Sequence, residues 1–171
     1  MKQNIVKEYA RKNTIRIFIE TGTYLGNMIN AVKRIFKTIH SIELDNHLAL
    51  QAKKRFSRFS HITIWQGDSS KILPAILTGI SEPCLFWLDA HYSGGVTARA
   101  EIDTPIKQEL SHIFDHRIKD HVILIDDARY FIGKDSYPEL DDLKKWVNQK
   151  CPDKEFYVKY DIIHIHKKNK G

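Results

Sequence analysis

The chain has 171 residues, of which 42% are hydrophobic and 28% are charged. This is ordinary usage for one globular domain, and it excludes disordered, collagen-like and coiled-coil proteins. No apolar run approaches the roughly 18 residues of a membrane span, and residues 1–13 lack the apolar stretch of a signal peptide. Because the chain has only two cysteines, a disulfide framework is excluded, and we expect a cytoplasmic protein with one domain over residues 1–171.

Charge is unevenly distributed along the chain. Residues 1–60 carry 12 basic and 4 acidic side chains, whereas residues 61–171 carry 15 basic and 17 acidic ones. A basic segment of this kind is found in proteins that contact nucleic acid, and it is also found where helices simply expose charged faces to solvent. The sequence alone leaves both interpretations open.

Apolar runs alternate with helical patterns after an N-terminal helix, which we predict within residues 1–14, ahead of a core over residues 15–167. Five strands are predicted at residues 15–19, 38–43, 61–65, 84–88 and 121–125. Five helices are predicted at residues 24–37, 46–57, 69–77, 106–116 and 139–149. The helix at 24–37 is inferred from the helical spacing of Leu25, Ile29 and Val32, and Asn46 is the expected cap of the next helix.

Strands that alternate with helices predict a parallel sheet with right-handed crossovers. The last two strands, at residues 156–160 and 162–166, leave no room for a helix between them, so they must pair antiparallel. The predicted fold class is therefore α/β, with a mostly parallel seven-stranded sheet that ends in an antiparallel C-terminal hairpin. Ligands of such sheets bind beyond the carboxyl ends of the strands, and we look for function there.

A glycine-containing turn follows the first predicted strand, with the sequence Glu20-Thr21-Gly22-Thr23-Tyr24-Leu25-Gly26. Two glycines four positions apart let the backbone turn tightly and approach a ligand closely. The acid at the strand end can accept a hydrogen bond from a ligand amine or hydroxyl. The middle glycine of the dinucleotide-binding fingerprint is absent, which argues against a nicotinamide cofactor.

Acidic residues also follow the second and third strands. Glu43 ends the second strand, where an acid suits the two hydroxyls of a ribose, and Asp45 is the alternative ribose ligand or a helix cap. Asp68, followed by Ser69, could accept from an adenine amine, or cap the next helix, or do both.

These three features, in this order, resemble the class I S-adenosylmethionine-dependent methyltransferases. That family has an acid-x-Gly-x-x-x-Gly turn after the first strand, an acid ending the second, an acid after the third, and a C-terminal antiparallel hairpin. The resemblance implies a Rossmann-like transferase fold that binds S-adenosylmethionine. The resemblance also implies roles for individual residues. The methionine and ribose would be lined by Glu20, Gly22, Thr23 and Gly26. The ribose hydroxyls would bind Glu43, and the adenine would face Asp68 and Ser69.

Three carboxylates follow the fourth and fifth strands, namely Asp89, Asp126 and Asp127. Neighbouring parallel strands lie about 4.8 Å apart, so these side chains are expected to converge and to repel one another unless a cation intervenes. A hard divalent ion such as Mg²⁺ is a natural partner for such oxygens. The alternatives are that Asp89 contacts the sulfonium of the cofactor, and that Asp126 or Asp127 caps a loop.

The acidic cluster is similar to that of the metal-dependent, catechol-type O-methyltransferases, in which these positions bind the metal. The sequence departs from their pattern at the acceptor base, because Tyr92 stands in place of their lysine and His91 precedes it. The resemblance implies methyl transfer to an oxygen of a small-molecule or sugar acceptor. We predict Asp89 and His91 as the catalytic residues, because the ordinary pKa of histidine lies near neutral pH. The alternative for His91 is a structural histidine of the loop.

Two alternatives remain, namely an RNA-directed methyltransferase that uses the basic N-terminal third and a non-catalytic module that binds the cofactor. A short N-terminal segment leaves the mouth of the site poorly covered, so we expect a homodimer. His164 and His166 share one face of the last strand, which we predict to be a solvated edge strand without a metal.

Overall fold

One seven-stranded sheet organises the protein. The computed structural model describes residues 1–89, 105–134 and 137–168. In chain order the strands are β1 (Ile17–Thr21), β2 (Thr38–Glu43), β3 (Ile62–Gln66), β4 (Cys84–Leu88), β5 (Val122–Ile125), β6 (Lys154–Lys159) and β7 (Ile162–Lys167). Across the sheet their order is β3-β2-β1-β4-β5-β7-β6.

Helices cover both faces of this sheet. In chain order they are α1 (Lys2–Lys12), α2 (Asn27–Val32), α3 (Asn46–Phe56), α4 (Ser69–Thr78), α5 (Ile106–Asp115) and α6 (Leu140–Lys150). Apolar residues of α1, α2 and α3 form one buried cluster against the sheet, and those of α4, α5 and α6 form the other. Within the described ranges, none of these helices combines the length and apolar character that crossing a lipid bilayer requires.

Strands β1 to β5 are mutually parallel, and β7 lies antiparallel between β5 and β6. The hairpin between β6 and β7 turns through Tyr160 and Asp161, which have φ angles of 55° and 62°. Two successive left-handed residues match the twist of a two-residue hairpin. The predicted fold class is confirmed, with β7 as the single reversed strand.

The fully apolar strand β4 lies in the middle of the sheet, and all five of its residues are buried. Phe86 and Leu88 belong to the cluster under α4 to α6, whereas Leu85 and Trp87 belong to the opposite one. Alternate side chains of a strand point to opposite faces, so a strand covered on both faces must be apolar throughout. Both cysteines are buried and free.

The first strand and the first crossover helix differ from the predicted bounds. Strand β1 begins two residues late and includes Glu20 and Thr21, both of which are buried. Helix α2 has only six residues, because Tyr24 and Gly26 adopt left-handed φ angles of 46° and 69° and keep the preceding residues out of the helix. Leu25 is consequently 48% exposed and does not belong to the apolar stripe.

Two further details of the prediction are wrong. The cap of α3 is Asp45, whose side chain accepts from Leu48 N, and Asn46 is the first helical residue. Strand β7 is an inner strand, because β6 pairs with its outer side. His164 is therefore buried, and its Nδ1 lies 3.0 Å from the Tyr9 hydroxyl.

Candidate functional site

The carboxyl ends of the central strands are aligned. Thr21, Leu88 and Ile125 are neighbours in the sheet register. The pairing continues one residue further, since Asp89 N donates to Thr21 O and Asp126 N donates to Leu88 O, both at 3.0 Å. Asp89 and Asp126 therefore stand side by side at the same edge of the sheet.

The turn after β1 is fixed to the end of β2. Gly22 N donates to Ile42 O at 2.9 Å, and Gly22 has a φ of 87°, which only glycine adopts readily. At Gly26, a Cβ atom would lie 2.7 Å from Cε2 of Phe56. Tyr24 holds a left-handed conformation without being glycine. Backbone conformations of this kind collect at ligand sites, where surrounding contacts hold them.

Glu43 is held rigidly beside this turn. Its Oε2 accepts from Tyr24 N at 2.7 Å, and its Oε1 accepts from Asp45 N at 3.0 Å, while the residue is only 5% exposed. Each carboxylate oxygen has more than one acceptor site, so each can still accept a hydroxyl. The arrangement fits the two hydroxyls of a ribose. Asp45, the alternative ligand, uses its own carboxylate to cap α3.

Glu20 lies in a buried polar network beneath the turn. Its Oε2 accepts from the Ser41 hydroxyl at 2.6 Å, and Ser41 in turn lies 2.6 Å from the Thr23 hydroxyl. Burial raises the pKa of Glu20 to about 8, and the nearby acids Asp89 and Glu43 add to the shift that Ser41 partly offsets. The carboxyl group is therefore a hydrogen-bond donor near neutral pH as well as an acceptor.

Asp68 caps α4, which is one of the two roles predicted for it. Its Oδ1 accepts from both the backbone N and the hydroxyl of Ser70, at 2.9 and 2.7 Å. Ser69 is buried and adjoins Glu109 of α5. The expected contacts of Asp68 and Ser69 with an adenine stay predictions.

Glu109 is a buried acid that the sequence interpretation missed. It is 1% exposed, and burial raises its pKa to about 7, with Ser69 and Thr21 offsetting part of the shift. Glu109 Oε1 and Thr21 Oγ1 nevertheless make no hydrogen bond of normal geometry among the described residues. A signal was present, since Glu109 follows Ile106 by three residues and precedes Leu110 within the apolar stripe of its helix.

Asp89, Asp126 and Asp127 meet beyond β4 and β5. One carboxylate oxygen from each lies within 4.8 Å of the others. Burial raises the pKa of Asp126 to about 6, and Asp89 and Asp127 add to this shift, which Lys2 opposes. Asp127 has a left-handed φ of 54°. Three hard oxygen ligands at these separations fit a divalent cation such as Mg²⁺.

Among the described residues, two basic side chains that the sequence interpretation missed offset part of the negative charge of this cluster. Lys2 Nζ lies 2.5 Å from Asp126 Oδ1 and 2.9 Å from Asp127 Oδ1. Arg129 Nη1 lies 3.0 Å from the same Asp127 oxygen and also pairs with Asp161. The position of Lys2 in the sequence carries no signal of this contact, because 125 residues separate it from Asp127.

The expected base His91 lies outside the described residues, as do Tyr92 and the turn at residues 93–95. The role of His91 stays a prediction. Of the predicted site residues, the structure brings together the acids at the carboxyl ends of β1, β2, β4 and β5.

Comparison with known proteins identifies the fold. No family model and no curated protein matches the chain. Among solved structures, a candidate caffeoyl-CoA O-methyltransferase from Staphylococcus aureus matches with a TM-score of 0.72 and 15% identity, over 98% of this chain and 83% of that one. The O-methyltransferase TomG from Streptomyces achromogenes, in complex with SAM, matches with a TM-score of 0.68 and 15% identity, over 97% and 78%.

An RNA methyltransferase is also among the matching structures. The 23S rRNA methyltransferase ErmE matches with a TM-score of 0.58 and 14% identity, over 97% of this chain and 68% of that one. The chain thus has the Rossmann-like fold of the class I S-adenosylmethionine-dependent methyltransferases.

Proposed function

We propose that this chain is an S-adenosylmethionine-dependent methyltransferase that methylates an oxygen of a small-molecule or sugar acceptor. The observation that carries the proposal is the carboxylate of Glu43. Two backbone N–H groups hold it at the end of β2 with an acceptor site left on each oxygen. This geometry suits a ribose, and the glycine turn beside it lets a ligand approach the backbone.

The other residues of the cofactor half would act around Glu43. Gly22, Thr23 and Gly26 would form the wall next to the methionine and ribose, and Glu20 would support that wall through Ser41. Asp68 and Ser69 would face the adenine. When bound, S-adenosylmethionine supplies an electrophilic methyl group, so the chain has to hold the acceptor oxygen in line with the departing sulfur.

The acidic half would prepare the acceptor. Asp89, Asp126 and Asp127 would hold a divalent cation, which lowers the pKa of an acceptor hydroxyl bound to it. His91 would accept the hydroxyl proton, because the ordinary pKa of histidine lies close to neutral pH. Asp89, at the end of β4 beside β1, would lie between the two halves and adjoin the sulfonium.

Cofactor binding is tested by titration calorimetry with S-adenosylhomocysteine. We expect one site per chain, with no comparable binding of NAD. Binding of NAD without binding of S-adenosylhomocysteine would refute the proposal. Binding of S-adenosylhomocysteine without transfer to any acceptor would instead identify a non-catalytic cofactor-binding module.

Methyl transfer is tested with labelled cofactor and a panel of hydroxyl-bearing acceptors. Once an acceptor is found, a chelator should abolish transfer and leave the affinity for S-adenosylhomocysteine mostly intact, because the cation serves the acceptor. The substitution Asp127→Asn should have the same effect and preserves the backbone, since asparagine tolerates the left-handed conformation. Transfer that a chelator leaves unchanged would exclude the cation.

RNA is the alternative acceptor class. Helices α1, α2 and α3 pack on the same face of the sheet. They and their flanking turns expose many of the basic side chains of residues 1–60, including Arg11, Lys12, Arg34, Lys53, Lys54 and Arg58. Fluorescence anisotropy with a single-stranded RNA should then show affinity that falls steeply with salt. Affinity that is weak at low salt would exclude this alternative.

We also propose that the chain is a homodimer. Support comes from the outer strand β6 and its turn, where Tyr157, Val158 and Tyr160 are 36–53% exposed. Sedimentation at high protein concentration tests this, and a monomer there would refute it.

A further inference from the structure

The three carboxylates beyond β4 and β5 create a local excess of negative charge. Asp126 and Asp127 are adjacent in the chain, and Asp89 precedes them on the neighbouring strand end. Carboxylates this close ionise together only when positive charge is supplied. The group that supplies this positive charge competes with any cation that binds to the cluster.

Lys2 supplies one positive charge from a distant part of the chain. Its ammonium group lies between the Oδ1 atoms of Asp126 and Asp127, at 2.5 and 2.9 Å. The ordinary pKa of a lysine amine is about 10.4, far above neutral pH. The amine is thus charged while it contacts the cluster.

Arg129 cannot replace Lys2 in this role. Its guanidinium contacts Asp127 and is shared with Asp161, whereas Lys2 is the basic side chain that also reaches Asp126 among the described residues. The side chain of Arg129 is 54% exposed, so its charge is partly screened by water.

A divalent cation needs the same oxygen atoms. A Mg²⁺ ion binds carboxylate oxygens at about 2.0–2.1 Å and tolerates little distortion. An ion bound to the Oδ1 atoms of Asp126 and Asp127 would lie within a few ångströms of the Lys2 ammonium, and the two cations would repel each other. One must leave before the other binds.

Lys2 can leave without unfolding its helix. Helix α1 is anchored by Val6 and Ala10, which are 0% and 3% exposed, in the cluster below the sheet. The side chain of Lys2 is 33% exposed and has four flexible methylene groups, so it can swing into solvent.

We propose that the Lys2 ammonium is the exchangeable resident cation of the carboxylate cluster, and that a divalent cation binds there by displacing it. Helix α1 thereby serves as an internal competitor that offsets part of the negative charge of the cluster until a divalent cation binds. This inference rests on the cation-binding part of the proposed function and is independent of the acceptor.

Calorimetric titration with MnCl₂ tests the competition in three variants of the full chain. Lys2→Met removes the charge and keeps the stem, and we expect it to bind Mn²⁺ at least about tenfold more tightly, since one close charge pair exceeds the free energy of one decade. Lys2→Arg should bind Mn²⁺ no more tightly than the wild type. Lys12→Met removes the same charge from an exposed position of the same helix and should leave the affinity unchanged.

Amine labelling provides a second readout that does not depend on activity. Reaction of the protein with acetic anhydride, followed by mass spectrometry, should show Lys2 labelled slowly without Mg²⁺ and several times faster with it. Lys12 serves as the internal control, with equal labelling in both conditions.

The outcomes separate the two claims. Equal Mn²⁺ affinity in wild type and Lys2→Met, or labelling of Lys2 that Mg²⁺ does not change, would overturn the exchange while leaving the cation site intact. Failure of Lys2→Met to bind Mn²⁺ would overturn both the exchange and the cation-binding part of the proposed function. Binding of S-adenosylhomocysteine, measured in the same samples, would then show whether the cofactor half stands.

Discussion

The two halves of the site at the carboxyl ends of the strands stabilise their acids by different means. On β1 and β2, Glu20 and Glu43 are buried and engaged by hydrogen bonds, from a hydroxyl in one case and from backbone N–H groups in the other. On β4 and β5, Asp126 and Asp127 face the charged side chains of Lys2 and Arg129.

This difference separates a fixed site from an exchangeable one. Backbone donors cannot leave without distorting β2 and the turn after β1, so the cofactor half is preorganised for neutral hydroxyl groups. Charged side chains on flexible stems can leave, so the acidic half can accept another cation in their place. Substitutions in the cofactor half should therefore change the affinity for the cofactor. Substitutions in the acidic half should change the affinity for a divalent cation.

The largest expected effect concerns Glu109, the buried acid beside the cofactor half. Its pKa of about 7 lies above the ordinary value of 4.5, so the folded state retains a proton that the unfolded state loses first. Its contribution to stability is present at low pH and is lost as the pH rises through about 4.5 to 7. Glutamine stays neutral at every pH. The free energy of unfolding of Glu109→Gln, relative to that of the wild type, should therefore rise by up to about 3 kcal/mol between pH 4 and pH 8.

Urea unfolding of both proteins at several pH values measures this difference. Glu8→Gln, at an exposed position of α1, is the control for replacing a glutamate. A Glu109→Gln difference that is constant with pH would contradict the prediction.

A divalent ion should stabilise the acidic half by a comparable amount. At 100 times its dissociation constant, a ligand of the folded state adds about 2.7 kcal/mol to the free energy of unfolding. Thermal unfolding with increasing MgCl₂ should show this increase in the wild type and lose it in Asp127→Asn. Asp142→Asn, at an exposed position of α6, should retain it. An equal response in both variants would place the ion elsewhere.

Loss of Glu43 should weaken the cofactor half by about 1–3 kcal/mol of binding free energy, the usual cost of leaving buried hydroxyls without a partner. Calorimetry with S-adenosylhomocysteine measures this in Glu43→Ala. Glu82→Ala, which removes an acid at the opposite edge of the sheet, before the amino end of β4, should bind as the wild type does. Equal affinity of Glu43→Ala and wild type would remove Glu43 from the ribose site.

The smallest effect is expected at Arg129, whose side chain is 54% exposed. Arg129→Ala should lower the free energy of unfolding by less than about 1 kcal/mol. Its Mn²⁺ affinity should rise less than that of Lys2→Met, because Arg129 contacts Asp127 and Lys2 contacts both aspartates. A larger rise in Arg129→Ala would make Arg129 the principal counter-ion.

The sequence predicted the fold where local signals agreed with the final environment. The apolar run of β4 identified a central strand with its observed bounds, because burial on both faces leaves no polar position. The prediction from sequence was wrong at the end of β1, where Glu20 and Thr21 resemble the start of a turn. They belong to the strand because their backbone pairs with β2 on one side and with β4 on the other, and the Ser41 hydroxyl also donates to Glu20. No local pattern reveals these partners.

The candidate site divides in the same way. The convergence of Asp89, Asp126 and Asp127 followed from the sequence, because adjacent parallel strands bring the residues after them to one edge. The identity of the basic side chains that contact this cluster did not follow from the sequence. Lys2 looks like any exposed lysine of a basic helix, and its contact depends on how α1 packs across the sheet.

By itself, then, the sequence determined the order of strands and helices and the acids at the strand ends, because hydrophobic periodicity and spacing are local properties. Only the tertiary structure decided that β7 lies inside the sheet, that Glu109 is buried beside Thr21, and that Lys2 joins Asp126. Each of these depends on partners far away in the chain, and the burial and charge that such partners create exist only once the chain has packed.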